Sequence, residues 1–143
     1  TKVLNSENWY DKIKEFSHNS PVFGTCAGAI LLGSQVDSEK VVPWKVIDMS
    51  VTRNAYGRQV ESFIGNITWG DDSSNSKIPA VFIRAPKILN TGPGVEVLGR
   101  LNGEPVVVRQ GKALATTFHP ELTDNVVVHR FFIEQVCKHV KAA

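Results

Sequence analysis

Apolar residues along this chain change their spacing several times, and each change predicts an element. Trp9, Ile13 and Phe16 fall at i, i+4 and i+7, so residues 7–17 are expected to form a helix with one apolar stripe. Pro21-Val22-Phe23 is a short apolar run that ends at Gly24, as a buried strand would. Ala27 to Leu32 then reads as a buried helix closed by Gly33. Ile47, Met49 and Val51 alternate with Asp48, Ser50 and Thr52, the pattern of a strand over 46–52 with one wet face. A polar loop with a glycine pivot follows at 53–59, and a Gly/Asp/Ser/Asn loop at 70–77.

The second half carries mainly strand signals. Ala80 to Ile83 is a compact apolar run bounded by Pro79 and Pro86. Val95–Leu98 and Val106–Val108 flank Asn102-Gly103, a strong hairpin signal. A turn at Gln110-Gly111 leads into a strand ending near Phe118. Over 124–141, Val128, Phe132, Val136 and Val140 repeat every four residues and give a last helix its docking face. Helices and strands in this order predict an α/β fold with an open, mixed, mostly parallel sheet flanked by helices. The strand at 21–23 reads as central, yet little precedes it to supply neighbours, so the sheet is expected to lack N-terminal strands.

Composition narrows the function classes. The 143 residues suit a single domain, with 42% apolar and 21% charged residues and a net charge of +2 spread along the chain. No basic cluster suggests a nucleic-acid surface. No apolar run approaches the roughly 18 residues of a membrane span. The polar start is unlike a signal peptide, and Asn66-Ile67-Thr68 is read as a chance sequon. Two distant cysteines, Cys26 and Cys137, do not suggest a disulfide scaffold, and a cytoplasmic setting is expected.

Gly24-Thr25-Cys26-Ala27-Gly28 stands between a predicted strand and a predicted helix, the thiol counterpart of the G-x-S-x-G nucleophile elbow. A nucleophile on such a cramped turn calls for flanking glycines. The start of the next helix favours thiolate over thiol, and the Ala27 N–H is placed to stabilise an oxyanion. The bland reading is a small buried hydrophobe, the usual fate of a free cysteine. A thiol nucleophile also needs a base, and the base an orienter. Of His18, His119, His129 and His139, only His119 ends a predicted strand; the last two are expected near the polar side of the final helix. Residues i and i+2 of an extended segment point the same way, so Glu121 can accept the ring N–H of His119 and fix its tautomer. Alone, His119 would read as a surface histidine near a chain reversal.

These two motifs, Gly24-Thr25-Cys26-Ala27-Gly28 and Phe118-His119-Pro120-Glu121-Leu122, resemble the class I glutamine amidotransferases. Arg53-Asn54-Ala55-Tyr56-Gly57-Arg58-Gln59, Ser62-Phe63 and Phe82-Ile83-Arg84-Ala85-Pro86 are similar to those of the glutaminase subunits of pyridoxal 5′-phosphate synthases. The resemblance covers about residues 9–137. It implies Cys26 as nucleophile, His119 as base and Glu121 as its orienter, with Arg53, Ile83 and Arg84 lining a glutamine pocket. It also implies L-glutamine as substrate, a (βα)8-barrel synthase subunit as partner, and neither cofactor nor metal. Arg53 and Arg84 both stand at ends of predicted strands, where open α/β sheets bind ligands. For Arg58, a solvated loop charge is an equal alternative.

Family members begin with a strand, a Leu-Gln-Gly segment and a Gly-Gly-Glu-Ser loop that supplies a second oxyanion N–H; this chain opens at Thr1 without them. The expectation is a single glutaminase domain over 1–143, N-terminally incomplete relative to the family. Two other classes stay open. A cysteine peptidase or other acyl hydrolase would share fold and triad, although the arginine motifs favour glutamine. A non-catalytic synthase-binding subunit is the third.

Overall fold

The computed structural model describes residues 8–53, 62–70 and 76–140. Asn54–Gln59, including Arg58, and the greater part of the 70–77 loop lie outside the described residues. In chain order the elements are α1 (Trp9–Asn19), β1 (Val22–Thr25), α2 (Ala27–Leu32), β2 (Gln35–Val36), β3 (Met49–Thr52), β4 (Ser62–Trp69) and β5 (Ser76–Ile83). They continue as β6 (Lys87–Thr91), β7 (Glu96–Leu101), β8 (Glu104–Gln110) and β9 (Ala113–Thr116), followed by a 3-10 turn (Pro120–Leu122) and a final helix from Val127. The strands form a six-stranded sheet, β1-β9-β8-β7-β4-β5, and a three-stranded sheet, β2-β3-β6.

The sheet is mixed, as expected, but not mostly parallel. Among the described residues β1 pairs parallel with β9 and β2 with β3, while the other pairings are antiparallel. For β7 with β8 and β8 with β9 the reason is connection length. A parallel pair needs a crossover, whereas neighbours joined by a tight turn must run antiparallel. Asn102 (φ 50°) and Gly103 (φ 83°) both take positive φ, the two-residue turn that the Asn-Gly signal calls for, and it joins β7 to β8. Between β8 and β9 only the first residue of the turn, Gly111 (φ 58°), takes positive φ.

Each face of the sheet meets its own core. Ile67, Phe82, Val107, Leu114 and Phe118 pack with Val128 and Val136 of the C-terminal helix. Val108, Ala113 and Ala115 pack on the opposite side with Ala29 and Leu32 of α2 and with Met49, Val51 and Ile88 of the small sheet. Covered on both faces, β9 is buried at every position, which explains its unbroken apolar run.

Other details differ from the sequence expectation. Of the stripe expected on α1 only Ile13 docks: Trp9 and Phe16 are 48% and 56% exposed, while Tyr10 packs beside Ile13 on the second core and Ser17 is buried. Strand β5 runs through Pro79 instead of starting after it. It lies at the end of the sheet order, where a missing N–H costs no ladder bond. Strands β2, β4 and β6 carried no expectation. In β4, Phe63, Ile67 and Trp69 lie on one face with Gly65 at the fourth position, which breaks the apolar alternation. There a Cβ would sit 3.0 Å from Leu101 Cδ1. The final helix is α-helical over Val127–Phe131, π-helical over Phe132–Val136 and 3-10 over Cys137–Val140, yet Val128 and Val136 still bury on one side as the four-residue repeat requires.

Candidate active site

Cys26 occupies the turn between β1 and α2 with φ 52° and ψ −105°, a region that non-glycine residues adopt at a cost. Its amide donates to the Thr116 carbonyl at 2.8 Å, and its own carbonyl accepts from Ala29 and Ile30 as α2 begins. The strained turn is thereby tied to a strand on one side and a helix on the other. Gly24 is the residue that permits this crossing. A Cβ there would lie 2.7 Å from the carbonyl carbon and oxygen of Gly28 and from Leu32 Cδ1. Gly28 differs from expectation: among the described residues, a Cβ at that position meets nothing within 4 Å. Packing demands the first glycine of the motif and not the second.

Strand β9 brings the histidine to the same place. Thr25 pairs with Thr116, so the segment Thr117-Phe118-His119 leaves the sheet beside Cys26. The His119 amide donates to the Val81 carbonyl at 2.9 Å, anchoring it to β5. His119 Nδ1 and Glu121 Oε1 are 2.6 Å apart, with the two side chains 24% and 47% exposed. A ring N–H donated to Glu121 leaves Nε2 as the nitrogen able to take a proton. The i, i+2 relation expected from an extended segment holds, although Pro120–Leu122 is a 3-10 turn.

Electrostatically the thiol is not poised as the elbow alone suggests. Burial pushes the Cys26 thiol above the ordinary cysteine range, a hydrogen bond from the Ala27 amide pulls it down, and the Glu121 carboxylate pushes it up again. The first turn of a six-residue helix does not outweigh desolvation plus a nearby negative charge. The thiol rests protonated, and its sulfur lies 3.7 Å from the Ile83 carbonyl oxygen.

Ile83 ends β5, and the chain then turns through Arg84, whose φ is 44°. Ala85 and Pro86 bury beneath this corner before β6 begins at Lys87, which pairs with Thr52 at the end of β3. Arg53 follows Thr52. Cys26 and Arg53 thus flank the same corner, one from each sheet. The hydrogen bonds of Arg53 run to Asp37 and Ser38: its amide to Asp37 Oδ1 at 2.9 Å and its Nη1 to Ser38 Oγ at 3.1 Å.

Two features of the neighbourhood escaped the sequence reading. His129 packs edge-on against Phe23, with ring centroids 5.7 Å apart, so it belongs to the apolar side of its helix. Thr117 is fully buried, and its hydroxyl has no hydrogen-bond partner among the described residues. Asp37 and Ser38 were missed too, because no local pattern links residues just after β2 to an arginine beyond β3.

A sequence profile described as the SNO glutamine amidotransferase family matches residues 1–138. The chain is 47% identical over 138 residues to a protein of Thermotoga neapolitana named pyridoxal 5′-phosphate synthase subunit PdxT, covering 94% of this chain and 72% of that protein. It is 47% identical over 127 residues to the protein of the same name from Koribacter versatilis, covering 89% of this chain and 65% of that one. A crystal structure of a glutamine amidotransferase superposes with a TM-score of 0.81 at 41% identity, over 93% of this chain and 70% of that chain. A glutamine amidotransferase from Thermotoga maritima shares the fold at a TM-score of 0.56 and 14% identity, over 98% of this chain and 60% of that chain.

Proposed function

The chain belongs to the SNO glutamine amidotransferase family, and from that premise we propose that it is the glutaminase subunit of a pyridoxal 5′-phosphate synthase. In this reading it hydrolyses L-glutamine to L-glutamate and ammonia and passes the ammonia to a (βα)8-barrel synthase subunit. A cytoplasmic location accords with two cysteines that are both free.

His119 Nε2 removes the thiol proton of Cys26 as the sulfur attacks the side-chain amide carbon of glutamine. The negative charge that develops on the amide oxygen is met by the Ala27 N–H. The C–N bond then breaks, the imidazolium gives its proton to the departing nitrogen, and ammonia leaves a thioester on Cys26. Water, deprotonated by His119, adds to the thioester. The C–S bond breaks, the thiol regains its proton, and glutamate is released. Through both steps Glu121 holds Nδ1–H and stabilises the imidazolium. Arg53, with Ile83 and Arg84, anchors the amino-acid end of the substrate, an arginine fork being suited to a carboxylate.

The observation that carries this reading is the 2.8 Å hydrogen bond from Cys26 N to Thr116 O, which sets the strained cysteine beside the strand that delivers His119. Ammonia release from L-glutamine, measured on the full-length protein with and without a synthase partner, tests it. Release in the complex, with the nitrogen of labelled glutamine recovered in the synthase product, is the expected result. Cleavage of peptides or esters in preference to glutamine would assign the site to a general acyl hydrolase. Synthase binding without turnover would make the chain a docking subunit.

A further inference from the structure

Strands β2 and β3 run parallel, with Gln35 opposite Ser50 and Val36 opposite Val51. One residue further in the same register, Asp37 comes to Thr52. The Thr52 hydroxyl donates to Asp37 Oδ2, and the Arg53 amide donates to Oδ1 at 2.9 Å. One carboxylate thus closes the end of β3 through a side chain and a backbone amide. The Thr52 hydroxyl first, and the Arg53 amide second, hold the Asp37 carboxyl below the usual carboxylate range, so it stays ionised in that role. The next residue takes the guanidinium: Ser38 Oγ accepts from Arg53 Nη1 at 3.1 Å and from the Lys40 amide at 3.3 Å. The hydroxyl that receives the arginine is itself fixed by the turn that follows it.

We propose that Asp37 and Ser38 are positioning residues that aim the Arg53 guanidinium at the α-carboxylate of glutamine. This rests on the reading of Arg53 as a pocket residue. A guanidinium carries five N–H donors in a planar fork. Among the described residues Ser38 takes one of them, and Asp37 is engaged by Thr52 and by the backbone of Arg53, so the fork keeps donors there for two parallel bonds to a carboxylate. Arg53 is exposed, and an exposed arginine loses side-chain freedom when it grips a ligand. One already held by Ser38 loses less, which lowers the cost of binding. Neither Asp37 nor Ser38 takes part in the chemical step, so they act on substrate affinity.

The test is steady-state ammonia release against glutamine concentration, in full-length protein with saturating synthase. Ser38→Ala should raise KM by about threefold to tenfold with kcat within about twofold, the net worth of one ordinary hydrogen bond acting through Arg53. Ser38→Thr, which keeps the hydroxyl, should return KM to normal. Asp37→Asn should also raise KM, because an amide oxygen accepts from two donors less well than a carboxylate pair. Arg53→Ala is run alongside. If Arg53→Ala raises KM and Ser38→Ala leaves it unchanged, the positioning role is overturned and the pocket reading stands. If Arg53→Ala leaves KM unchanged, both fall. A loss of kcat in Ser38→Ala that Ser38→Thr does not restore would show a structural role instead, and it too overturns the proposal.

Discussion

The sulfur of Cys26 lies 3.7 Å from the carbonyl oxygen of Ile83, a residue 57 positions further along the chain and on a strand at the opposite end of the sheet order. The two meet because β5 returns to the region where β9 ends: its Val81 carbonyl accepts the His119 amide at 2.9 Å. Cys26, His119 and the Ile83–Arg84 corner are thereby gathered at one end of the sheet. The resting thiol sits against a carbonyl acceptor while burial keeps it protonated.

Replacing Cys26 by serine or alanine is expected to lower glutaminase activity by several orders of magnitude without unfolding the protein. Cys137 begins the last 3-10 segment of the final helix, and Cys137→Ser should leave the rate nearly unchanged. Mass spectrometry after treatment with a glutamine-analogue electrophile should find the label on Cys26. A label on Cys137 would overturn the assignment.

The state of the thiol makes a prediction about pH. Only the thiolate is alkylated, and the folded-state value is raised above the ordinary one. Alkylation of the free enzyme by iodoacetamide, followed on a Cys137→Ser background, should therefore be slow at neutral pH. It should climb as pH rises, with its inflection above that of a simple thiol. An inflection below the ordinary cysteine value would contradict the electrostatics described for the elbow.

Glu121 has two opposed effects on the site, and one substitution separates them. Its charge raises the Cys26 value, so Glu121→Gln should move the alkylation inflection to lower pH. Its carboxylate also accepts from His119 Nδ1 at 2.6 Å, so the same change should cut kcat, by up to ~10⁴ where an orienter is essential, with KM little altered. An unchanged kcat would mark Glu121 as a bystander.

The two glycines of the elbow should respond differently. Gly24→Ala forces a Cβ to 2.7 Å from the Gly28 backbone, a contact that backbone atoms cannot yield without moving α2. A loss of about 1–3 kcal/mol in stability is expected, together with activity. Gly28→Ala should leave thermal unfolding nearly unchanged. Equal loss in both variants would show that both glycines are sterically required.

Arg53→Lys keeps the charge and removes the planar fork. With saturating synthase, KM for glutamine should rise by roughly tenfold to a hundredfold, the worth of a charged hydrogen bond, with a smaller change in kcat. If complex formation weakens instead and KM stays normal, the arginine serves docking.

The sequence by itself determined what local rules govern. The elbow was legible because a strained turn between strand and helix restricts residue type at neighbouring positions, Gly24 and Cys26 above all, and His119 with Glu121 because residues i and i+2 are neighbours through short-range geometry. Asn102-Gly103 announced its hairpin through backbone conformation alone, and Val128 with Val136 showed the docking side of the last helix through helical period. Tertiary structure decided the rest. Which face of α1 is buried depended on the loop packed against it: the Tyr10 hydroxyl donates to the Val42 carbonyl and its ring meets Trp44 edge-on, leaving Trp9 and Phe16 exposed. The direction of strand pairing depended on which connections are tight turns, and the apolar pattern of a strand does not encode that. The thiol of Cys26 was raised instead of lowered because burial and the Glu121 charge act through space, whereas the helix start that favours thiolate is a neighbour in sequence. The hold of Asp37 and Ser38 on Arg53 arises from the parallel register of β2 and β3, a long-range pairing that no spacing along the chain records.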